Sequence, residues 1–332
     1  MLKIVFVFAV ILQSSFLSAA DDAFDVGFRK IDVISQETDE RFPMAVVYPT
    51  RDPAENISFG PFDMELSMYG KIADGMFPVA IISHGSGGSD LGYRSIAFNL
   101  VQQGFIVGMP LHPKNNYKDN TAEGTVRNWA NRPKHIKAAI DSLLSHPKLS
   151  ASIDNKKIAV VGHSAGGYTA LATAGGVADA GMIAELCKND LQLDEPFCNM
   201  GTESLVKLVK ISNQADKRVK AIVMMAPVGI LFKSEGALAQ VDIPALLLRA
   251  EKDGVLTEPY HSEVIAKHYQ NKKNLTYRTV SNAGHYSFIT PVPDVLKREL
   301  GAVAEDPDGF DRAEFHDALG PEIASYLISV LN

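Results

Sequence analysis

Cysteine is almost absent from this chain of 332 residues: only Cys187 and Cys198 occur. So few exclude a disulfide scaffold and a thiolate zinc module. They lie close enough in sequence to pair in an oxidising compartment; the alternative is two buried thiols. Tryptophan occurs once, at Trp129. Basic charge is not in excess, with 39 acidic against 32 basic residues and a formal charge of -7. That balance gives no electrostatic reason to bind nucleic acid or anionic membranes. Repeats and low-complexity tracts are missing, and no His, Cys and carboxylate cluster has metal-ligand spacing. No cofactor motif is present, so none is expected.

Long apolar runs are scarce too. One follows Lys3 and covers residues 4–12. It is shorter than the ~20 residues that span a bilayer. The basic start, the short apolar segment and the small-residue exit at Ser18, Ala19 and Ala20 read as a secretory signal peptide over residues 1–20. The expected mature chain, residues 21–332, is secreted or periplasmic and carries no stable membrane anchor.

What is present is alternation. Strands are expected at 41–48, 77–83, 104–109, 157–161, 219–225, 243–249 and 275–280. Helices are expected at 89–103, 133–144, after 164, at 258–269 and at 313–331. Repeated strand–helix–strand units with buried strands imply an α/β fold built on a mostly parallel, doubly wound sheet. The first strands, joined without helices, suggest an antiparallel start. Residues 177–216 interrupt the pattern and read as a cap-like insertion that covers part of a cleft and limits acyl size.

The chemistry concentrates at Gly162-His-Ser-Ala-Gly166. An apolar run precedes it and a small-residue helical stretch follows, which is the setting of a nucleophile elbow. Ser164 is the candidate nucleophile, and it needs a base and an oxyanion site. In this architecture the order is serine, acid, histidine. Of the downstream histidines, His285 lies in a Gly-containing loop after the last strand. His261 and His268 fall on a helix with polar neighbours and read as surface residues; His316 reads as structural. Asp253 follows the preceding buried strand and is the candidate acid, with Glu251 as the alternative and a plain turn aspartate as the bland reading. The oxyanion donors are expected to be the N–H groups of Ala165 and of Ser86, in the loop Ser83-His-Gly-Ser-Gly-Gly-Ser89. His84, His112 and Tyr168 are possible cleft residues. Asp306, Asp308 and Asp311 do not complete a calcium loop, because Phe310 occupies a ligand position. Asn56 and Asn274 start glycosylation sequons.

These segments together resemble the secreted serine α/β-hydrolases of the dienelactone-hydrolase-like group related to platelet-activating-factor acetylhydrolases. The matching pieces are Ser83-His-Gly-Ser-Gly-Gly88, Gly162-His-Ser-Ala-Gly-Gly167, Lys217-Arg-Val-Lys-Ala221, Glu251-Lys-Asp253, Ala283-Gly-His285 and the two cysteines. The resemblance implies an α/β-hydrolase fold and a carboxylic-ester hydrolase working through Ser164, His285 and Asp253 on a small-molecule ester. Dienelactone hydrolases proper use a cysteine where Ser164 stands, and the acetylhydrolases place their acid near Met225, so neither substrate carries over. A lipase or phospholipase, a polyester hydrolase and an amidase are alternatives on the same triad; a non-catalytic binding protein is a further one. The physiological ester and the oligomeric state are not implied.

Overall fold

Each expected apolar run becomes a strand in one large sheet. The computed structural model describes residues 23–189, 194–199, 209–211 and 215–332, so the expected signal segment lies outside the described residues. The elements run, in order, β1 (Asp25–Ser35), β2 (Glu40–Thr50), β3 (Glu55–Phe59), β4 (Phe62–Met68), β5 (Phe77–Ser83), α1 (Arg94–Gln102), β6 (Ile106–Pro110), α2 (Val126–Leu144), β7 (Ile153–His163) and α3 (Ala165–Thr173). The insertion contributes β8 (Ala178–Asp179), α4 (Gly181–Asn189), α5 (Glu195–Cys198) and β9 (Lys210–Ile211). The chain returns to the sheet with β10 (Val219–Met225), β11 (Ala245–Ala250), α6 (Ser262–His268), β12 (Leu275–Val280), α7 (Asp294–Leu300) and α8 (Arg312–Leu331).

Among the described residues the main sheet has ten strands in the order β12-β11-β10-β7-β5-β6-β2-β1-β4-β3. From β12 to β6 every neighbouring pair is parallel. β2 pairs antiparallel with both β6 and β1, which is the antiparallel start expected from helix-free connections. β5, β7, β10 and β11 are buried on both faces, so they read as unbroken apolar runs. Three strands are not evident from periodicity. β1 mixes charged residues (Arg29, Lys30, Asp32) into its pattern, and β3–β4 form an outlying hairpin whose turn starts at Gly60, with φ of 58°.

Helices cover both faces. On one, α1 packs against α8, burying Ile96 and Leu100 with Leu319, Ile323 and Leu327. The spacing of the last three is one helical face. Each such side chain contributes roughly 1.5–3 kcal/mol when fully buried. On the other face lie α2 and α3 with Trp129, Ile136, Leu143 and Tyr168. Helix α2 begins at Val126, seven residues before Pro133, where proline at a first turn would have placed it. Thr125 caps it by accepting from the Asn128 N–H at 3.2 Å. Pro133 has no N–H for the carbonyl of Trp129. The Tyr168 hydroxyl donates to that carbonyl instead, at 3.0 Å. This explains a proline inside a long helix and gives buried Tyr168 a structural partner.

Cys187 and Cys198 form a disulfide, which ties α4 to α5.

Candidate active site

Ser164 stands between β7 and α3 with φ 55° and ψ -119°. A non-glycine residue in that conformation costs about 1–3 kcal/mol and persists only where the surroundings enforce it. The enforcing bonds are visible. The Ser164 N–H donates to Met225 O at 3.0 Å, and its carbonyl accepts from Val228, Gly167 and Tyr168. The flanking glycines serve close approach rather than unusual φ. A Cβ on Gly162 would meet Gly166 O at 2.0 Å, and one on Gly166 would meet Ser83 O at 1.9 Å. So the elbow is compressed against the end of β5, where the glycine-rich loop begins.

Asp253 follows β11 and His285 follows β12, at the same carboxyl edge of the sheet as Ser164. His285 Nδ1 lies 2.8 Å from Asp253 Oδ2, and both side chains are buried. The other carboxylate oxygen accepts from the N–H groups of Val255 (2.9 Å) and Leu256 (2.7 Å). One carboxylate oxygen thus serves the turn and the other meets the His285 imidazole. Burial opposes ionisation of Asp253, but the His285 charge and hydrogen bond and these N–H groups outweigh it, holding the carboxyl below its ordinary range. Glu251, the alternative acid, is exposed and accepts from the Asn282 N–H at 2.6 Å, bracing the histidine loop. Among the described residues no hydrogen bond joins the Ser164 hydroxyl to the His285 imidazole. In resting active sites such bonds are often long and tighten only with substrate bound.

The loop after β5 makes a turn closed by Gly88 N–H to Gly85 O at 3.1 Å, with Gly87 at φ +66°. Gly85 abuts the candidate nucleophile: a Cβ there would sit 3.3 Å from Ser164 Cβ. Ser86 is the next residue along, and the turn bond does not use its N–H. Ala165 opens α3, where the first N–H groups have no helical partner.

Sequence reading missed two residues here. His163 Nε2 donates to the main-chain carbonyl of His285 at 2.8 Å. Its Nδ1 therefore accepts, and takes the Tyr93 hydroxyl at 2.7 Å. Tyr93 in turn accepts from the Gly85 N–H at 3.4 Å. One chain of bonds thus links the glycine loop, the elbow and the histidine loop. Burial pushes the His163 imidazole down to about 3, which fits its neutral tautomer. Its position inside the elbow motif was a signal; Tyr93 had none.

Three expected cleft residues do not line a cleft. His84, His112 and Tyr168 are at most 1% exposed and lie in the interior. His84 donates from Nδ1 to Gly85 O (2.7 Å) and accepts the His112 N–H on Nε2 (3.1 Å). Polar side chains in this loop turn inward because the buried turn's own carbonyls need donors. His261 is likewise buried, not on the surface. It precedes α6, and its Nε2 lies 2.8 Å from Asp194 Oδ2, in the insertion. Trp129 is core, against Tyr168. His316 bonds Ser95 and the Ser287 carbonyl and is structural, as expected. Asp306 pairs with Arg312, and no group that could hold a metal occurs among the described residues.

Known proteins share this architecture. A chlorophyllase family model matches residues 61–187, which hold the glycine loop and the elbow but neither Asp253 nor His285. A ferulic acid esterase from Streptomyces cinnamoneus superposes with TM-score 0.62 at 17% identity, over 94% of this chain and 91% of its own. A dienelactone hydrolase-like promiscuous phosphotriesterase from metagenomic libraries superposes with TM-score 0.54 at 13% identity, over 92% and 99%. No curated protein matches the sequence. The chain has the α/β-hydrolase fold, on a mostly parallel mixed sheet, and is similar in architecture to these esterase and dienelactone hydrolase-like structures.

Proposed function

We propose that the protein is a serine hydrolase of carboxylic esters, with Ser164 as nucleophile, His285 as general base and Asp253 as the residue that orients it. The observation that carries this reading is the Asp253–His285 bond at the sheet edge where Ser164 is held on its strained corner. With Nδ1–H committed to Asp253, the Nε2 of His285 is free to accept a proton. Ser164 Oγ attacks the ester carbonyl as its proton passes to His285 Nε2. The N–H groups of Ala165 and Ser86 hold the oxyanion of the tetrahedral intermediate. Collapse breaks the bond to the alcohol, which leaves with the proton from His285, and an acyl-enzyme remains. Water, deprotonated by His285, then attacks the acyl carbonyl and releases the acid and free Ser164.

The ferulic acid esterase and chlorophyllase likenesses support an ester as substrate. The insertion over residues 177–216 favours short or medium acyl groups. The disulfide at Cys187–Cys198 fits an oxidising compartment, which supports export after removal of residues 1–20.

The test is hydrolysis of a p-nitrophenyl acyl series by the purified mature protein and by Ser164→Ala. The variant should lose several orders of magnitude in kcat/KM and all labelling by a fluorophosphonate probe. Retained turnover would sink the assignment.

A further inference from the structure

Arg132, on α2, is wholly buried. Among the described residues no carboxylate pairs with it; its hydrogen bonds go only to neutral groups. Burying an unpaired cation is costly, so its donors must achieve something specific. They reach four acceptors on three segments. Nε donates to Thr169 Oγ1 on the elbow helix at 2.9 Å, and Nη1 to Asn115 Oδ1 at 2.5 Å. Nη2 donates to Ser83 Oγ at the end of β5 at 3.3 Å, and also to the main-chain carbonyl of His84. The His84 carbonyl belongs to the peptide whose N–H is that of Gly85, the residue packed against Ser164.

The grip continues around the glycine loop. Asn115 Nδ2 donates to Asn120 Oδ1 at 2.7 Å, and Asn120 Nδ2 donates to Glu123 Oε2 at 2.6 Å. Asn120 also stands against Gly87, 3.5 Å from where a Cβ would be. In the same segment the Tyr117 N–H donates to the Gly88 carbonyl at 3.0 Å. On the inner side, the counter-charge is kept at a distance. Glu40 accepts from His135 Nε2 at 2.9 Å, so His135 Nδ1 accepts from His112 Nδ1 at 3.2 Å. His112 Nε2 then accepts from the Ser83 hydroxyl at 2.9 Å. Three neutral side chains separate the guanidinium from its anion, leaving the positive charge under the glycine loop.

We propose that Arg132 is the positioning residue of the oxyanion hole, fixing the His84–Gly85 peptide and the Ser86 turn and lending its charge to the developing oxyanion. The inference rests on the ester-hydrolase reading above. Such preorganised donors and charges stabilise the transition state more than bound substrate. Lysine cannot substitute, because one ammonium cannot span four acceptors arranged for a planar fork.

The experiment compares Arg132→Met and Arg132→Lys with the parent enzyme on p-nitrophenyl butyrate, with inhibition by a trifluoromethyl ketone that mimics the tetrahedral adduct. Both variants should lose about 10- to 100-fold in kcat with KM held within about threefold, and the ketone should bind weaker by the same factor. A folded Arg132→Met enzyme with unchanged kcat, a loss confined to KM, or a kcat loss with unchanged ketone affinity overturns the proposal. If neither variant folds, Asn120→Ala at the exposed end of the relay decides: a loss of about 3- to 10-fold in kcat matched in ketone affinity supports it, and no change overturns it. Ser164→Ala run alongside separates the two readings. If it retains activity the hydrolase assignment fails; if it is inactive while Arg132→Met is unimpaired, only the role of Arg132 fails.

Discussion

The imidazole of His163 donates to the backbone carbonyl of His285 at 2.8 Å, so the residue beside the candidate nucleophile holds the loop that carries the candidate base. The two rings lie 4.7 Å apart. Tyr93 completes the link to Gly85. Tyr93→Phe removes the hydroxyl and leaves both His163 Nδ1 and the Gly85 N–H without their partner. It should destabilise the fold by about 1–3 kcal/mol. Urea denaturation measures this, and an unchanged midpoint would show that the link contributes nothing.

The two carboxylates after β11 should separate cleanly. Asp253→Asn keeps the shape but disrupts the orientation and charge support of His285, and kcat should fall by about 10³- to 10⁴-fold. Glu251→Gln keeps an acceptor for the Asn282 N–H and should lower kcat by less than about tenfold. Steady-state kinetics on one ester decides; the reverse order would move the acid to Glu251.

Acid should unfold this protein early. Burial pushes the imidazoles of His84 and His163 down to about 3 and that of His316 to about 4, and holds His112 well below its ordinary value. Unfolded, each takes up a proton near pH 6.5; folded, none does until far lower. The unfolded state thus binds more protons in this window, so stability falls as pH falls from about 6.5 toward 4. By pH 5.5 the four together cost on the order of 5 kcal/mol, much of a typical domain's stability. Urea midpoints between pH 7.5 and 5.5 check this. A flat profile would mean that these histidines are charged in the native state.

The insertion is pinned to the rest of the molecule by a second aspartate–histidine pair. Asp194 meets His261 at 2.8 Å and accepts from the Thr257 hydroxyl at 2.9 Å, four residues beyond Asp253. Asp194→Ala leaves the Nε2–H of buried His261 without its acceptor, while Nδ1 keeps the Gly229 N–H. We expect cleavage by a non-specific protease within residues 177–216 to accelerate by about tenfold or more, with the sheet domain intact. Mapping the first cleavage sites tests this; an unchanged pattern removes the pinning role.

Glycine substitutions should differ sharply. Gly166→Ala drives a methyl to 1.9 Å from Ser83 O, so this variant should fail to fold or lose activity. A Cβ on Gly254 meets nothing within 4 Å, so Gly254→Ala should be neutral or stabilise by about 0.4–1 kcal/mol. Thermal melts of both variants provide the measurement.

Local pattern was enough for the parallel core. Apolar runs such as those of β5, β7 and β10 are buried on both faces, and burial of that kind is written directly into composition. The edge was harder: β1 and the β3–β4 hairpin carry charges on a half-exposed surface, so their patterns are diluted. Pro133 resembles a helix start, yet α2 runs through it, because the Trp129 carbonyl that it leaves free is satisfied by Tyr168, a residue from another helix. The inward turn of His84, His112 and His261 was equally hidden, since a histidine's partners are set by neighbours remote in sequence.

Order and spacing along the chain determined the elbow at Ser164, the glycine loop and the choice of Asp253 and His285, because strand ends and the residues just beyond them are local properties. Tertiary structure alone decided the rest: which imidazoles are neutral and buried, that Asp253 serves a turn and His285 at once, and that an arginine with no carboxylate partner among the described residues sits beneath the glycine loop. These are matters of distance between segments far apart in sequence. Hydrogen-bond partners and desolvation depend on that distance, and no local pattern records it.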